Sequence, residues 1–147
     1  MWAKVSYPRQ KISITGGTHS SPVALTIKDL EAYKKQDQIT IHDPYNKDIL
    51  TTFYGFYMKD FLNLYAPPAY KSVRVTAIDG YKVDIPKQDI DKSNLFMSYK
   101  DKAGFLTVDR MGPARIIAPF KGVINRDLLL QLGVYWVWQV KTIEFIK

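Results

Sequence analysis

The chain has 147 residues, enough for a single domain over residues 1–147 and too few for two of ordinary size. It contains no cysteine, which excludes disulfides, zinc–thiolate sites and thiol catalysis. The net charge of +7 permits a polyanionic partner, but the basic residues are scattered among acids, which favours a solvated surface over a nucleic-acid footprint. No apolar run is long enough for a transmembrane helix, and the first residues show no signal-peptide pattern.

The first half of the chain alternates predicted strands with short predicted helices. Strands are expected at residues 11–15, 38–42 and 49–54 from their β-branched and apolar residues. Thr26 and Asp29 have the spacing of a capping box, which predicts a helix that continues to about Lys35. A second helix is predicted at residues 57–65, where apolar residues recur at helical spacing.

Residues 73–86 carry the clearest local pattern, which predicts a β-hairpin. Apolar residues alternate on both sides of Asp79-Gly80, and an Asp-Gly pair between alternating segments is typical of a hairpin turn. The alternating residues are Val73, Val75, Ala77, Val83 and Ile85. The favoured role of the turn is structural, with Tyr81 closing the end of the sheet.

The second half continues with a helical turn at residues 86–90 and strands at 94–99 and 115–120. A helix at residues 126–132 is expected to be capped by Asn125 and closed by Gly133. One long strand is predicted over residues 134–146, with a bulge near Lys141 where the apolar phase changes. On such a strand Trp136 and Trp138 face one side and Tyr135 the other.

Nothing in the sequence argues positively for catalysis. His19 and His42, the two histidines, have no carboxylates around them at metal-ligand spacing. There is no nucleophile elbow, Walker A loop or dinucleotide-binding fingerprint.

Five motifs follow one another from Leu25 onward: LTIKDL at 25–30, GFYMKDFL at 55–62, DGY at 79–81, GPAR at 112–115 and WVWQ at 136–139. Their order and spacing resemble the sulfite-oxidase-type molybdopterin-binding fold. The resemblance implies one α+β domain with a mixed, barrel-like β-sheet core and several short helices.

In metal-bearing members of this family, a cysteine thiolate falls at or just after the strand that here ends at His42. This chain has His42-Asp43-Pro44 there, and a carboxylate is a poor substitute for a soft thiolate. The resemblance therefore implies neither molybdenum nor a covalently bound cofactor. The chain resembles a branch of small cysteine-free members, which implies that it binds a neopterin-like pterin in the periplasm and regulates a membrane-bound cyclic-di-GMP cyclase or phosphodiesterase.

The chemistry of a pterin selects the candidate binding residues within that resemblance. Its aminopyrimidinone edge suits a carboxylate completed by an arginine, and its flat rings suit an aromatic face. The candidates are Asp43, Tyr45, Asn46, Arg110, Arg115, Tyr135 and Trp138. Lys121 matches a further position where the family often has a cofactor-contacting base. Taken locally, Asp43-Pro44 is better explained as a turn that starts a loop, and Arg115 equally suits a surface ion pair.

Three functions are thus open. The first is a non-catalytic pterin sensor that signals to a protein partner. The second is a molybdopterin-dependent oxidoreductase with a non-cysteine ligand, and the third is a basic module that binds nucleic acid or another polyanion.

Overall fold

The computed structural model describes residues 7–18, 21–119 and 126–147, and it places the described strands in two sheets. The strands are β1 (Ile12–Thr15), β2 (Val23–Leu25), β3 (Asp37–Asp43), β4 (Ile49–Tyr57), β5 (Ser72–Ala77), β6 (Lys82–Pro86), β7 (Phe96–Asp101), β8 (Gly104–Phe105), β9 (Arg115–Ile117) and β10 (Val140–Ile146). The helices are α1 (Ile27–Glu31), α2 (Met58–Leu62), α3 (Lys87–Lys92) and α4 (Arg126–Leu132), with 3₁₀ turns at Val108–Arg110 and Gly133–Tyr135. None of the helices in the described ranges is long and apolar enough to cross a membrane.

The two sheets have different connectivities. The first has the strand order β2-β1-β10-β5-β6, and its β1–β10 pair is parallel. The second has the order β3-β4-β7-β8, and β9 also pairs with β7. The α+β class is therefore confirmed. The expected barrel-like core differs, because the strands described form two open sheets and no closed barrel.

The hydrophobic core combines side chains from both sheets in one cluster. Along β5, buried and half-buried residues alternate, and Val73 and Val75 are fully buried, as the hairpin pattern predicts. From the second sheet, Phe53 and Phe56 of β4 and Phe96 of β7 join the same cluster. Since each aromatic ring buries a large apolar area, this cluster stabilises the fold without disulfides.

The first helix has the predicted start and an earlier end. The hydroxyl of Thr26 accepts from the Asp29 backbone N–H, and the Asp29 carboxylate accepts from the Thr26 N–H, so the capping box is confirmed. The helix ends at Glu31 rather than near Lys35. The Gln36 side chain donates to the carbonyls of Leu30 and Tyr33, which supplies partners that a continued helix would have provided.

The long strand predicted over residues 134–146 was wrong in its first half. Gly133–Tyr135 form a 3₁₀ turn, and Gln139 has a φ of 53°, in the left-handed region that a strand excludes. Only Val140–Ile146 form a strand, with the predicted register shift between Val140 and Thr142. Trp136 and Trp138 therefore stand on an irregular segment, one buried and the other 40% exposed.

At Gly55 the backbones of two strands in the second sheet approach too closely to admit a side chain. A Cβ added there would lie 1.9 Å from the Met97 carbonyl oxygen, at the register shift between β4 and β7. We expect Gly55→Ala to lower the free energy of unfolding by at least about 3 kcal/mol, because backbone has to move.

A matched control is Gly104→Ala, where φ is +117° and nothing lies within 4 Å of the added Cβ. Backbone strain alone predicts a loss of roughly 1–2 kcal/mol there. Urea unfolding of both variants measures the two losses, and similar values would contradict the packing argument for Gly55.

Candidate functional site

A buried ion pair joins the end of β3 to the start of β9. Arg115 donates from Nη1 to Asp43 Oδ2 at 2.8 Å and from Nη2 to Oδ1 at 3.2 Å, which makes the contact bidentate. The two residues are only 3% and 2% exposed. The Arg115 guanidinium also lies 5.2 Å from the Phe53 ring centre and 5.7 Å from that of Trp136. Arg115 is thus held by charge and by aromatic faces together.

Asp43 also organises the loop that follows β3. Its Oδ1 accepts the backbone N–H of Tyr45 at 3.0 Å, and its carbonyl accepts that of Asn46 at 3.1 Å. The turn expected at Asp43 is therefore present, and the pairing of Asp43 with the arginine of the GPAR motif is a contact that the sequence did not predict. Both carboxylate oxygens face protein donors.

The burial of this pair makes it expensive to disrupt. Asp43→Asn keeps the shape but leaves the buried guanidinium uncompensated, so we expect it to lower the free energy of unfolding by about 3–5 kcal/mol. The measurement is urea unfolding at neutral pH.

Asp84→Asn is the matched control. Asp84 pairs with Arg74 at 2.7 Å on the surface, where water screens the charges, so its loss should be far smaller. Equal losses at Asp43 and Asp84 would show that burial does not set the strength of the Asp43–Arg115 pair.

Beside the ion pair lies a pocket of about 490 Å³, a size typical of small-molecule sites. Three segments form it: the loop after β3, the β5–β6 turn and the region that joins α4 to β10. The lining residues are Tyr45, Ala77, Asp79, Tyr81, Leu130, Gly133, Val134, Trp136 and Trp138.

Aromatic rings form much of the pocket surface. The Tyr45 ring centre lies 5.1 Å from that of Trp138 with the planes 77° apart, and 5.6 Å from that of Trp136 at 50°. Trp136 is buried, whereas Trp138 and Tyr81 are 40% and 42% exposed. The pocket therefore has an aromatic floor and a partly exposed aromatic rim.

The tyrosine hydroxyls of the pocket bridge its segments. Tyr45 donates to the Gly133 carbonyl at 3.4 Å, and Tyr81 donates to that of Val134 at 3.0 Å. Burial raises the pKa of both phenols, so they stay protonated and act as donors at neutral pH. These bonds connect the 3₁₀ turn before β10 to the loop after β3 and to the β5–β6 hairpin.

The seven candidate residues divide by location. Tyr45 and Trp138 line the pocket, and Asp43 and Arg115 form the ion pair behind it. Asn46 is exposed, and its backbone closes the turn that Asp43 begins.

Arg110 and Tyr135 lie outside the pocket lining. Arg110 forms an ion pair with Asp101 of β7 and donates to the Phe105 carbonyl, so it fastens the β7–β8 hairpin. The Tyr135 hydroxyl donates to Asp89 of α3, and burial together with that bond raises the pKa of Tyr135 to about 12. Lys121, His19 and the Asn125 cap fall outside the described residues.

Sequence reasoning did not select Asp79, Tyr81 and Trp136 as site residues, although all three line the pocket. The available signal was the aromatic residue next to the Asp-Gly turn together with the tryptophan pair. The turn chemistry alone accounted for Asp79 and Tyr81, which hid their second role. In the described ranges, no group of three or more histidines and acids is placed to hold a metal ion.

The fold resembles that of a solved enzyme. The structure is similar to a chain of the sulfane dehydrogenase SoxCD from Paracoccus pantotrophus, with a TM-score of 0.69 over 98% of this chain. The two sequences are 14% identical, and this chain corresponds to 40% of the length of that chain, so the likeness shows the fold alone. No family model matches the sequence, and no curated protein matches it.

Proposed function

We propose that this chain is a non-catalytic pterin-binding protein of the sulfite-oxidase-type fold that reports ligand binding to a protein partner. The observation that carries the proposal is the aromatic pocket beside the Asp43–Arg115 pair. Its size suits a bicyclic heterocycle, and its position between three segments allows a ligand to join them.

The pocket geometry suits a flat ligand. Because the rings of Tyr45 and Trp138 are nearly perpendicular, a heterocycle stacked on one ring meets the edge or face of the other. The exposed face of Trp138 remains open to contact, while Trp136 closes the floor. The apolar surface supplies affinity, and a few polar groups set the orientation.

The available donors do not fit a molybdenum centre of the family's type. The chain has no thiolate, and the carboxylate nearest the family's ligand position, Asp43, has both oxygens bound by Arg115 and Tyr45. A metal at Asp43 would have to break the buried ion pair. The oxidoreductase alternative therefore rests on the likeness of fold alone, and we propose no redox step.

The partner and the compartment rest on the resemblance. The proposed partner is a membrane-bound cyclic-di-GMP enzyme, and the proposed compartment is the periplasm. One structural feature supports signalling to a protein: several lining residues are also exposed apolar side chains. These are Tyr81, Leu130, Val134 and Trp138, with Ile78 beside them. Ligand binding would alter a surface of the kind that contacts proteins, which couples the two events.

Calorimetric titration with neopterin tests the proposal. We expect saturable binding to the wild-type protein, and a rise of roughly tenfold in Kd for Trp138→Ala, because loss of a stacking face costs about 1.4 kcal/mol. The readout is the fitted Kd at neutral pH.

Leu64→Ala is the control, since Leu64 is 55% exposed and lies outside this pocket. It should bind like the wild type. A protein that binds no pterin at millimolar concentration would refute the proposed function. Equal Kd values for wild type and Trp138→Ala would place the ligand elsewhere.

A further inference from the structure

Asp79 occupies a special place in the pocket lining. Of the described residues that line it, Asp79 is the one with a charged side chain. It stands in the turn between β5 and β6, whose Ile78 N–H donates to the Gln139 carbonyl at 2.9 Å. The turn is therefore fixed to the segment that carries Trp136 and Trp138.

The carboxylate of Asp79 is held in one orientation with one oxygen available. Oδ1 accepts the backbone N–H of Tyr81 at 3.0 Å, which is the bond of an Asx turn. Within the described part of the chain, Oδ2 has no hydrogen-bond donor, and Asp79 forms no ion pair. A preorganised acceptor of this kind is suited to a ligand N–H group.

The neighbouring polar groups also present acceptors. The Tyr45 hydroxyl donates its hydrogen to the Gly133 carbonyl, and the Tyr81 hydroxyl donates to the Val134 carbonyl. A carbonyl oxygen has two lone pairs, so each carbonyl retains acceptor capacity after receiving one tyrosine. The carboxylate of Asp79 and these two carbonyls therefore favour a ligand that presents donors to this side of the pocket.

We infer that Asp79 binds the N–H edge of the ligand, and that it makes the pocket selective for 2-amino-4-oxo heterocycles over their 2,4-dioxo analogues. This inference rests on the proposed function and specifies the ligand edge that the site recognises. A pterin offers its ring N–H and its 2-amino group side by side, so one donor can meet the free Oδ2 of Asp79 and the other the remaining lone pair of Oδ1. In a lumazine, a carbonyl replaces the amino group and points its oxygen at Asp79.

Asp79→Asn tests this directly. The asparagine Oδ1 still accepts the Tyr81 N–H, so the turn is kept, whereas an amide N–H₂ replaces the acceptor Oδ2. Pterin and lumazine, which differ at the position-2 substituent and in the hydrogen that lumazine carries on N1, are titrated by calorimetry into the wild-type protein and the variant. The wild type should prefer pterin by about tenfold, the usual scale for a hydrogen bond to a charged group, and the variant should lose or reverse that preference.

Asp91→Asn is the matched control, because it removes the same charge from an exposed residue of α3 outside the pocket. It should keep the preference for pterin. Equal wild-type affinity for both rings, or an Asp79→Asn variant with unchanged selectivity, overturns the role of Asp79 while pterin binding stands. Absence of binding to either ring by the wild-type protein overturns the proposed function and this inference together.

Discussion

The arrangement of the pocket depends on one buried charge pair. Asp43 and Arg115 are 72 residues apart in sequence, and their bidentate contact fixes the loop after β3 against β9. The same carboxylate holds the backbone of Tyr45, and the guanidinium lies against Trp136, so the pair positions two aromatic residues of the pocket from behind. Buried charges tolerate little displacement, because separation would leave each without water or a partner. The pair therefore contributes precision of placement more than net stability.

This pair also explains the electrostatic character of the pocket. Arg115 carries the positive charge that an anionic ligand would need, and Asp43 neutralises it within the protein. Among the described lining residues, the charge that remains is the carboxylate of Asp79. In the function we propose, the pocket is therefore suited to a neutral ring that donates hydrogen bonds.

Local patterns predicted the elements whose structure is decided locally. The capping box at Thr26 and the alternation on β5 were confirmed, because each depends on residues a few positions apart. The final strand was predicted to start too early because apolar residues stand on both sides of Gln139. No local signal shows that Gln139 adopts a left-handed conformation, which interrupts the strand.

The site was predicted only in part for a related reason. Asp43 and Arg115 were selected separately, but the contact between them depends on the order of strands in the second sheet, where β4 and β7 connect β3 to β9. Asp79 fulfils its turn role completely, so its position in the pocket is visible only once Tyr45 and Trp138 are placed around it. Arg110 was expected near the ligand, whereas it pairs with Asp101 on β7 and lies outside the pocket lining. In each case the missing information was a tertiary contact.

The parallel pairing of β1 with β10 constrains how the molecule is made. On the ribosome, β1 emerges early and has β2 as a neighbour, but its other edge stays unpaired until β10 has left the exit tunnel. The segment from Gly133 to Trp138 emerges just before β10, so the pocket is completed at the same late stage. Until β10 has emerged, a nascent chain of this protein thus exposes a sheet edge and an unfinished cavity, and an unpaired edge of this kind is prone to pairing with other chains.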